Sequence, residues 1–402
     1  MSARSPGEMW YNGTNPALRS TFYMSYRILV INWRDIRNPD MGGAEVNFQE
    51  IFKRLVRREH RVTLLCSRHN RSFPEEEQID GIRIVRRGNR YTFNYTVPVV
   101  YMREFKNSVD IVVEDCSKIP FYTPLYVRQP LFVMVHHLHG TSIYGDTLLP
   151  AALYVHFTEF LIPFFYRGVP FVAVSESTKN ELVQKGLKAE DVEVVYNGVD
   201  HLNYTPDESV RSKSPLVVCV TRLKKYKGVH LLLHAMKKVL EEVPNARLVI
   251  AGSGNYEPEL HRMVRRLGLN GCVEFAGFLA NDQKMDLYRR AQVVVNPSAK
   301  EGWGLTVTEA NACATPVVAA AVPGLVESVL DGETGFLYPH SDTEAMAKHI
   351  VRLLKDERLR KQLGMRSLEW SREFTWDRAV EKIEMTIERA ATNRKERKKA
   401  TG

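Results

Sequence analysis

Two glutamates with seven residues between them, Glu301 and Glu309, enclose the run Gly302-Trp303-Gly304-Leu305-Thr306-Val307-Thr308. An ionised carboxylate only accepts hydrogen bonds, so Glu301 suits the hydroxyls of a sugar and Glu309 the paired hydroxyls of a ribose. Glu301 falls in a glycine-containing loop and Glu309 inside the helix that follows. The loop amides and the positive end of the helix dipole between them suit a phosphate. One such glutamate would read as an ordinary carboxylate near a helix start; the pair around a Gly-Trp-Gly turn is a more specific pattern.

Upstream, Thr221-Arg222-Leu223-Lys224-Lys225-Tyr226-Lys227-Gly228 sets four cations immediately after an apolar run. Lys224 and Lys225 read equally well as solvated loop residues, whereas Arg222 directly follows a buried strand. Fixed cations in a dry cleft stabilise a diphosphate as its charge grows on departure, which is stabilisation by differential binding. The sequence Met41-Gly42-Gly43-Ala44-Glu45 occupies the equivalent place earlier in the chain. There, glycines allow the backbone close to an anion and the first helix amides point at it, although a Gly-Gly pair alone also reads as a plain turn. A third cluster, His136, His137 and His139, closes the apolar run Leu131–Val135. These are candidates for a core histidine, a site histidine or a zinc centre, and zinc would need further ligands that the sequence does not identify.

Loops of this kind need strands behind them. Arg27–Asn32 and Arg61–Cys66 flank a helical pattern from Ala44 to Arg58, a βαβ unit, and further strands are expected at Ile82–Arg86, Ile111–Glu114, Leu131–His136, Phe171–Val174 and Val192–Tyr196. The second half repeats the plan with Leu216–Val220, Arg247–Ala251, Val273–Ala276, Val293–Asn296 and Pro316–Ala319, separated by helices. The stretch 197–215, rich in Asn, Asp, Ser and Pro, reads as a linker. The expected organisation is an extension over 1–25, an N-terminal α/β domain over 26–205, a C-terminal α/β domain over 206–376, a last helix over 377–394 that crosses back to the first domain, and a basic tail over 395–402. Ligands bind outside the carboxyl ends of parallel strands, so two such sheets would face each other across a cleft that holds the site.

The bulk properties narrow the classes. At 402 residues, with 44% hydrophobic and 26% charged side chains, the chain is a folded protein of two domains, not a disordered one. Five cysteines, odd in number and scattered through apolar stretches, argue against a disulfide framework and fit a reducing, cytoplasmic setting. The net charge of +9 is compatible with nucleic acid, an anionic membrane or a phosphorylated substrate. No nucleic-acid recognition module is evident, so that partner ranks last. The stretch 148–172 is the most apolar, but His156, Glu159, Pro163 and Arg167 interrupt it short of the ~20 residues a spanning helix needs. Its aromatics leave two readings: a helix lying on the inner membrane face, or one packed in the core.

Together, Gly42-Gly43-Ala44-Glu45, Val174-Ser175-Glu176-Ser177-Thr178, Asn197-Gly198-Val199-Asp200, Thr221-Arg222-Leu223 with Lys227-Gly228, Ala251-Gly252-Ser253-Gly254 and Glu301–Ala310 resemble the family 4 glycosyltransferases. These are retaining enzymes of the GT-B fold, with two Rossmann-like domains, and the likeness runs from Arg27 to Trp376. The resemblance implies that Arg222 and Lys227 bind the donor diphosphate, that Glu301 contacts the transferred sugar, and that Glu309 contacts the nucleoside ribose. It also implies that a strand-terminal histidine, best matched by His136, completes the site. Gly42, Gly43, Gly302, Trp303, Gly304, Leu305 and Thr306 are the remaining donor-binding candidates. No cofactor or metal is implied, in line with the lack of an Asp-x-Asp triplet. The expected partners are a nucleotide diphosphate sugar and a glycan or lipid-linked acceptor. An epimerase on the same fold is the competing reading. A dehydrogenase fits poorly, because Gly252-Ser253-Gly254 lacks the third glycine of a dinucleotide fingerprint.

Overall fold

The computed structural model describes residues 24–70, 72–116, 119–138 and 149–401, with side chains as far as residue 392. Most of the extension expected over 1–25 and His139 lie outside the described residues.

The first sheet comprises β1 (Arg27–Ile31), β2 (Arg61–Cys66), β3 (Glu76–Ile79), β4 (Ile82–Arg86), β5 (Ile111–Cys116), β6 (Leu131–Val135), β7 (Phe171–Ala173) and β8 (Val192–Val194), in the order β3-β4-β2-β1-β5-β6-β7-β8. All neighbours are parallel except β3, which pairs antiparallel with β4. The second sheet comprises β9 (Leu216–Val220), β10 (Arg247–Ala251), β11 (Val273–Gly277), β12 (Val293–Asn296), β13 (Val317–Ala320) and β14 (Gly335–Tyr338), wholly parallel in the order β11-β10-β9-β12-β13-β14. That is the doubly wound dinucleotide-fold order, and it reverses direction between β9 and β12. The first sheet reverses likewise between β1 and β5. Ligand-binding crevices open at such reversals, because the crossovers leave to opposite faces.

The central strands are continuous apolar runs because helices cover both faces of each sheet. Ile28, Leu29, Val30 and Ile31 of β1, and Leu216, Val217, Val218 and Cys219 of β9, are all buried. Two strands escape the sequence reading. Glu76-Glu77-Gln78-Ile79 of β3 is a charged edge strand, the composition that blunts unpaired edges, and Gly335-Phe336-Leu337-Tyr338 of β14 is too short to show a period. The helices Thr343–Lys355 and Glu357–Ser371 follow it, each capped by an aspartate, Asp342 and Asp356.

The polypeptide passes between the sheets twice, and the two passages touch: the Val199 amide donates to the Phe374 carbonyl at 3.1 Å. A Cβ on Gly198 would stand 2.2 Å from the Trp376 nitrogen, so the glycine of the Asn-Gly-Val-Asp run is what lets the passages lie together. The last helix, Trp376–Thr401, lays Trp376, Ala379, Val380, Ile383 and Ile387 into the core of the first domain. Lys382 Nζ donates to the Val194 carbonyl at 3.0 Å, and Arg58 pairs with Glu384. The helix runs on through Thr401, across the segment expected as a basic tail, whose Lys, Arg, Glu and Ala are good helix formers.

Candidate active site

The loops after β9 and β12 meet first. Lys227 Nζ lies 2.5 Å from Glu301 Oε1, both side chains largely buried at 10% and 17% exposure. The 3-10 turn Lys225–Lys227 ends at Gly228, whose φ of +70° starts the helix Val229–Glu242 and aims Lys227 back at the sheet edge. Arg222 Nη2 donates to the Tyr226 hydroxyl at 3.1 Å. Burial works against the Arg222 charge, and Tyr226, Glu45 and Glu301 more than offset it, so the guanidinium titrates above its ordinary value.

Across the cleft, the Gly42-Gly43 turn approaches these groups. A Cβ on Gly42 would stand 3.3 Å from Arg222 Cζ, and one on Gly43 would touch Leu305 at 3.4 Å. Glu45 Oε2 accepts from the Gly42 amide at 2.6 Å, closing the turn at the start of the helix Gly43–Arg57. Burial pushes the Glu45 carboxyl up, against the pull of Arg34, the Gly42 amide and Arg222. Leu305 begins the helix Leu305–Ala312, whose leading amides open onto this space.

His136 follows β6 and is buried at 5% exposure. Its Nε2 sits 2.7 Å from Asp115 Oδ1, while Asp115 Oδ2 accepts from Asn32 Nδ2 at 2.7 Å. Asp115 and Asn32 come from β5 and the end of β1, at the reversal of the first sheet, so three strand ends fix one imidazole. Neither was singled out from the sequence, although two carboxylates, Glu114 and Asp115, ending an apolar strand were the available signal. Glu114 proves structural: it accepts from the amides of Phe121 and Thr123 and from the Tyr166 hydroxyl.

Burial lowers the His136 pKa, and the Asp115 carboxylate outweighs it, so the imidazole titrates above the ordinary histidine value. Stability from a raised histidine pKa is complete below the unfolded value, about 6.5, and disappears as pH rises through the folded one. Asp115→Asn is therefore expected to cost most Tm near pH 6 and progressively less in alkali, in melts from about pH 5.5 to about pH 9. A Tm difference independent of pH would show that the pair does not hold the proton.

Glu309 has partners other than Lys227 and Glu301. Lys284 Nζ donates to its Oε1 at 2.7 Å and the Tyr288 hydroxyl to its Oε2 at 3.0 Å, both from the helix Asn281–Arg290, and Tyr204 hydrogen-bonds to it as well. These neighbours were missed because Lys284 and Tyr288, four apart on a charged helix, look like an ordinary surface pair.

The Trp303 ring is 2% exposed, with its centroid 4.7 Å from those of both Tyr196 and Phe374, so any donor contact of this candidate is made by its main chain. Gly302 acts through closeness, since a Cβ there would meet the His136 carbonyl oxygen at 1.9 Å. Gly304, at φ +93°, supplies the left-handed residue before the helix, and Thr306 Oγ1 accepts from Asn296 at 3.4 Å. Other ties hold the domains together: Glu327 accepts from the amides of Glu176 at 2.8 Å and Ser177 at 2.7 Å, and Lys300 pairs with Glu181 at 3.0 Å.

Residues 41–201 match the family described as Glycosyltransferase Family 4, and residues 203–370 the family described as glycosyl transferases group 1. An uncharacterised glycosyltransferase of Methanocaldococcus jannaschii is 28% identical over 355 residues, 82% of this chain and 89% of its own. A D-inositol 3-phosphate glycosyltransferase of Streptomyces bingchenggensis is 35% identical over 276 residues, 63% of this chain and 60% of its own. Among solved structures, sucrose-phosphate synthase of Thermosynechococcus elongatus superposes with a TM-score of 0.79 at 21% identity, covering 90% of this chain and 98% of that one. HepE of Anabaena, solved with UDP and glucose, gives a TM-score of 0.74 at 21% identity, covering 90% and 99%. The two facing parallel-sheet domains are the GT-B fold, and the chain belongs to the glycosyltransferases that join a family 4 amino-terminal domain to a group 1 carboxyl-terminal domain.

Proposed function

We propose that the protein transfers a hexosyl unit from a nucleotide diphosphate sugar to an acceptor hydroxyl, with retention of configuration at the anomeric carbon and without a divalent ion. The observation that carries this is the buried Lys227–Glu301 pair at 2.5 Å, with Arg222 beside it and the Gly42-Gly43 turn opposite. In the proposed complex Lys227 and Arg222 take the diphosphate, with the amides at the start of the helix Leu305–Ala312. Glu301 turns to the sugar hydroxyls, Glu309 to the ribose, and His136 faces the transferred sugar or the acceptor. The acceptor oxygen approaches C1 on the face that the diphosphate vacates. The new C1–O bond forms as the old one breaks, and the hydroxyl proton passes to a diphosphate oxygen, so the protein supplies position and charge. HepE, the neighbour solved with UDP and glucose, favours a uridine donor. The acceptor is proposed to be a lipid-linked or other envelope glycan, met at the inner face of the cell membrane.

The test is a thermal-shift panel of nucleoside diphosphates, since a ligand that binds only the folded state at a hundred times its Kd adds about 2.7 kcal/mol. It is followed by transfer assays with and without EDTA. One diphosphate is expected to raise Tm selectively, and transfer to persist in the chelator. Activity lost in EDTA and restored by magnesium would remove the ion-free charge stabilisation, and conversion of the donor to an epimer without any acceptor would remove the transfer reaction.

A further inference from the structure

The first domain turns large apolar side chains outward. Of the aromatic side chains exposed among the described residues, all but Phe278 lie on or beside two helical stretches, Phe93–Phe105 and Leu149–Phe165. In the second stretch Leu149, Leu153, Phe157, Phe160 and Phe164 recur at helical spacing and form one outward stripe, with Phe157 58% and Phe164 67% exposed. The face turned inward carries the smaller Ala152 and Val155, together with Glu159 and Ile162. The helix thus points its larger apolar side chains away from the core, the reverse of an ordinary surface helix. The stretches join where Tyr154 hydrogen-bonds to Tyr95, which is 73% exposed.

Charge selects the occupant. Arg90, 5.3 Å over the Tyr91 ring, is exposed just before the first stretch and Arg103 is exposed within it, while Arg167, exposed just after the second, shares a pocket with Lys188, Glu190, Asp191 and Glu193. The second stretch has one carboxylate, Glu159, which is 1% exposed and lies 3.4 Å from Lys185. On the first, Glu104 is bound to Arg87. An aromatic face with a cationic border matches an anionic lipid surface, where rings sit at the headgroup level and basic residues are drawn to the anionic headgroups. No helix among the described residues is long and apolar enough to cross a membrane.

We propose that this face seats the protein on an anionic phospholipid bilayer, with the aromatic stripe in the headgroup region. The first stretch follows the carboxyl end of β4, and the second packs Ala152 and Val155 against Ile119, just past the carboxyl end of β5, so the seated face lies beside the cleft edge of the first domain. This rests on the proposed reaction only for its purpose; the seating needs no donor or acceptor.

The full chain is floated with phosphatidylcholine vesicles, with and without about one third phosphatidylglycerol. The wild type is expected on the anionic vesicles and not on the neutral ones. Phe157→Glu with Phe164→Glu is expected to reduce the bound fraction at least about tenfold with an unchanged Tm, while Phe278→Glu binds as wild type. The proposal is overturned by no binding to anionic vesicles, by equal binding to neutral ones, by undiminished binding of the double variant, or by a wild-type dimer that the double variant dissolves. No nucleotide sugar is present, so failure here leaves the transfer reaction untouched, and failure of transfer leaves the seating untouched.

Discussion

Lys227→Ala is expected to lower kcat/KM by about a hundredfold or more, some 2.7 to 4 kcal/mol, the loss measured when one preorganised donor to a developing anion is removed. The side chain is 10% exposed, so water does not replace its charge cheaply. The diphosphate gains charge as the sugar leaves, so kcat should fall by a larger factor than KM rises. Arg222→Ala should behave similarly, and the double variant should lose less than the product of the two, because both cations answer one charge. Lys227→Ala also leaves Glu301 without its partner. Glu301→Gln in the same background separates the two effects through Tm: the unpaired buried carboxylate lowers Tm and its neutralisation restores it, whereas the activity lost with the cation is not restored. Steady-state kinetics of Lys227→Ala within threefold of wild type would end the assignment.

The parts legible in the sequence are those where chemistry and local geometry coincide. Apolar runs such as Leu216–Val220 could only be strands buried on both faces, and the glycines and cations after them marked the loops. The illegible parts depend on partners distant in sequence. Asp115 reads as the polar end of a strand until folding sets it between Asn32 and His136, residues 83 and 21 positions away. Trp303 lies inside the motif, but that its ring packs tilted against Tyr196 and edge-on against Phe374, burying a large apolar surface, depends on two partners far away in sequence. Glu327 carried no local signal at all, because its work is to receive the amides of Glu176 and Ser177 from the other domain. Gly302 is a further case, since its reason lies in the opposite domain.

Gly302→Ala is expected to cost activity about a hundredfold or more while sparing donor binding. Gly302 does not adopt a left-handed backbone, unlike Gly304 at φ +93°, so alanine is tolerated locally and the second domain keeps its fold. The added methyl would stand 1.9 Å from the His136 carbonyl oxygen, a main-chain atom held by β6 that cannot swing aside. Relief must come from the domains moving apart, and a displacement of about 1 Å between reacting groups on separate bodies is enough for a hundredfold loss. The proposed donor contacts of Arg222, Lys227, Glu301 and Glu309 all belong to the second domain, so the Tm increment from a nucleoside diphosphate should survive in the variant. The loss should then appear in kcat with the donor KM little changed. Wild-type turnover by Gly302→Ala would mean that the closure described here is not the reacting one, and a lost nucleotide shift would mean that the methyl disturbs the donor loop itself.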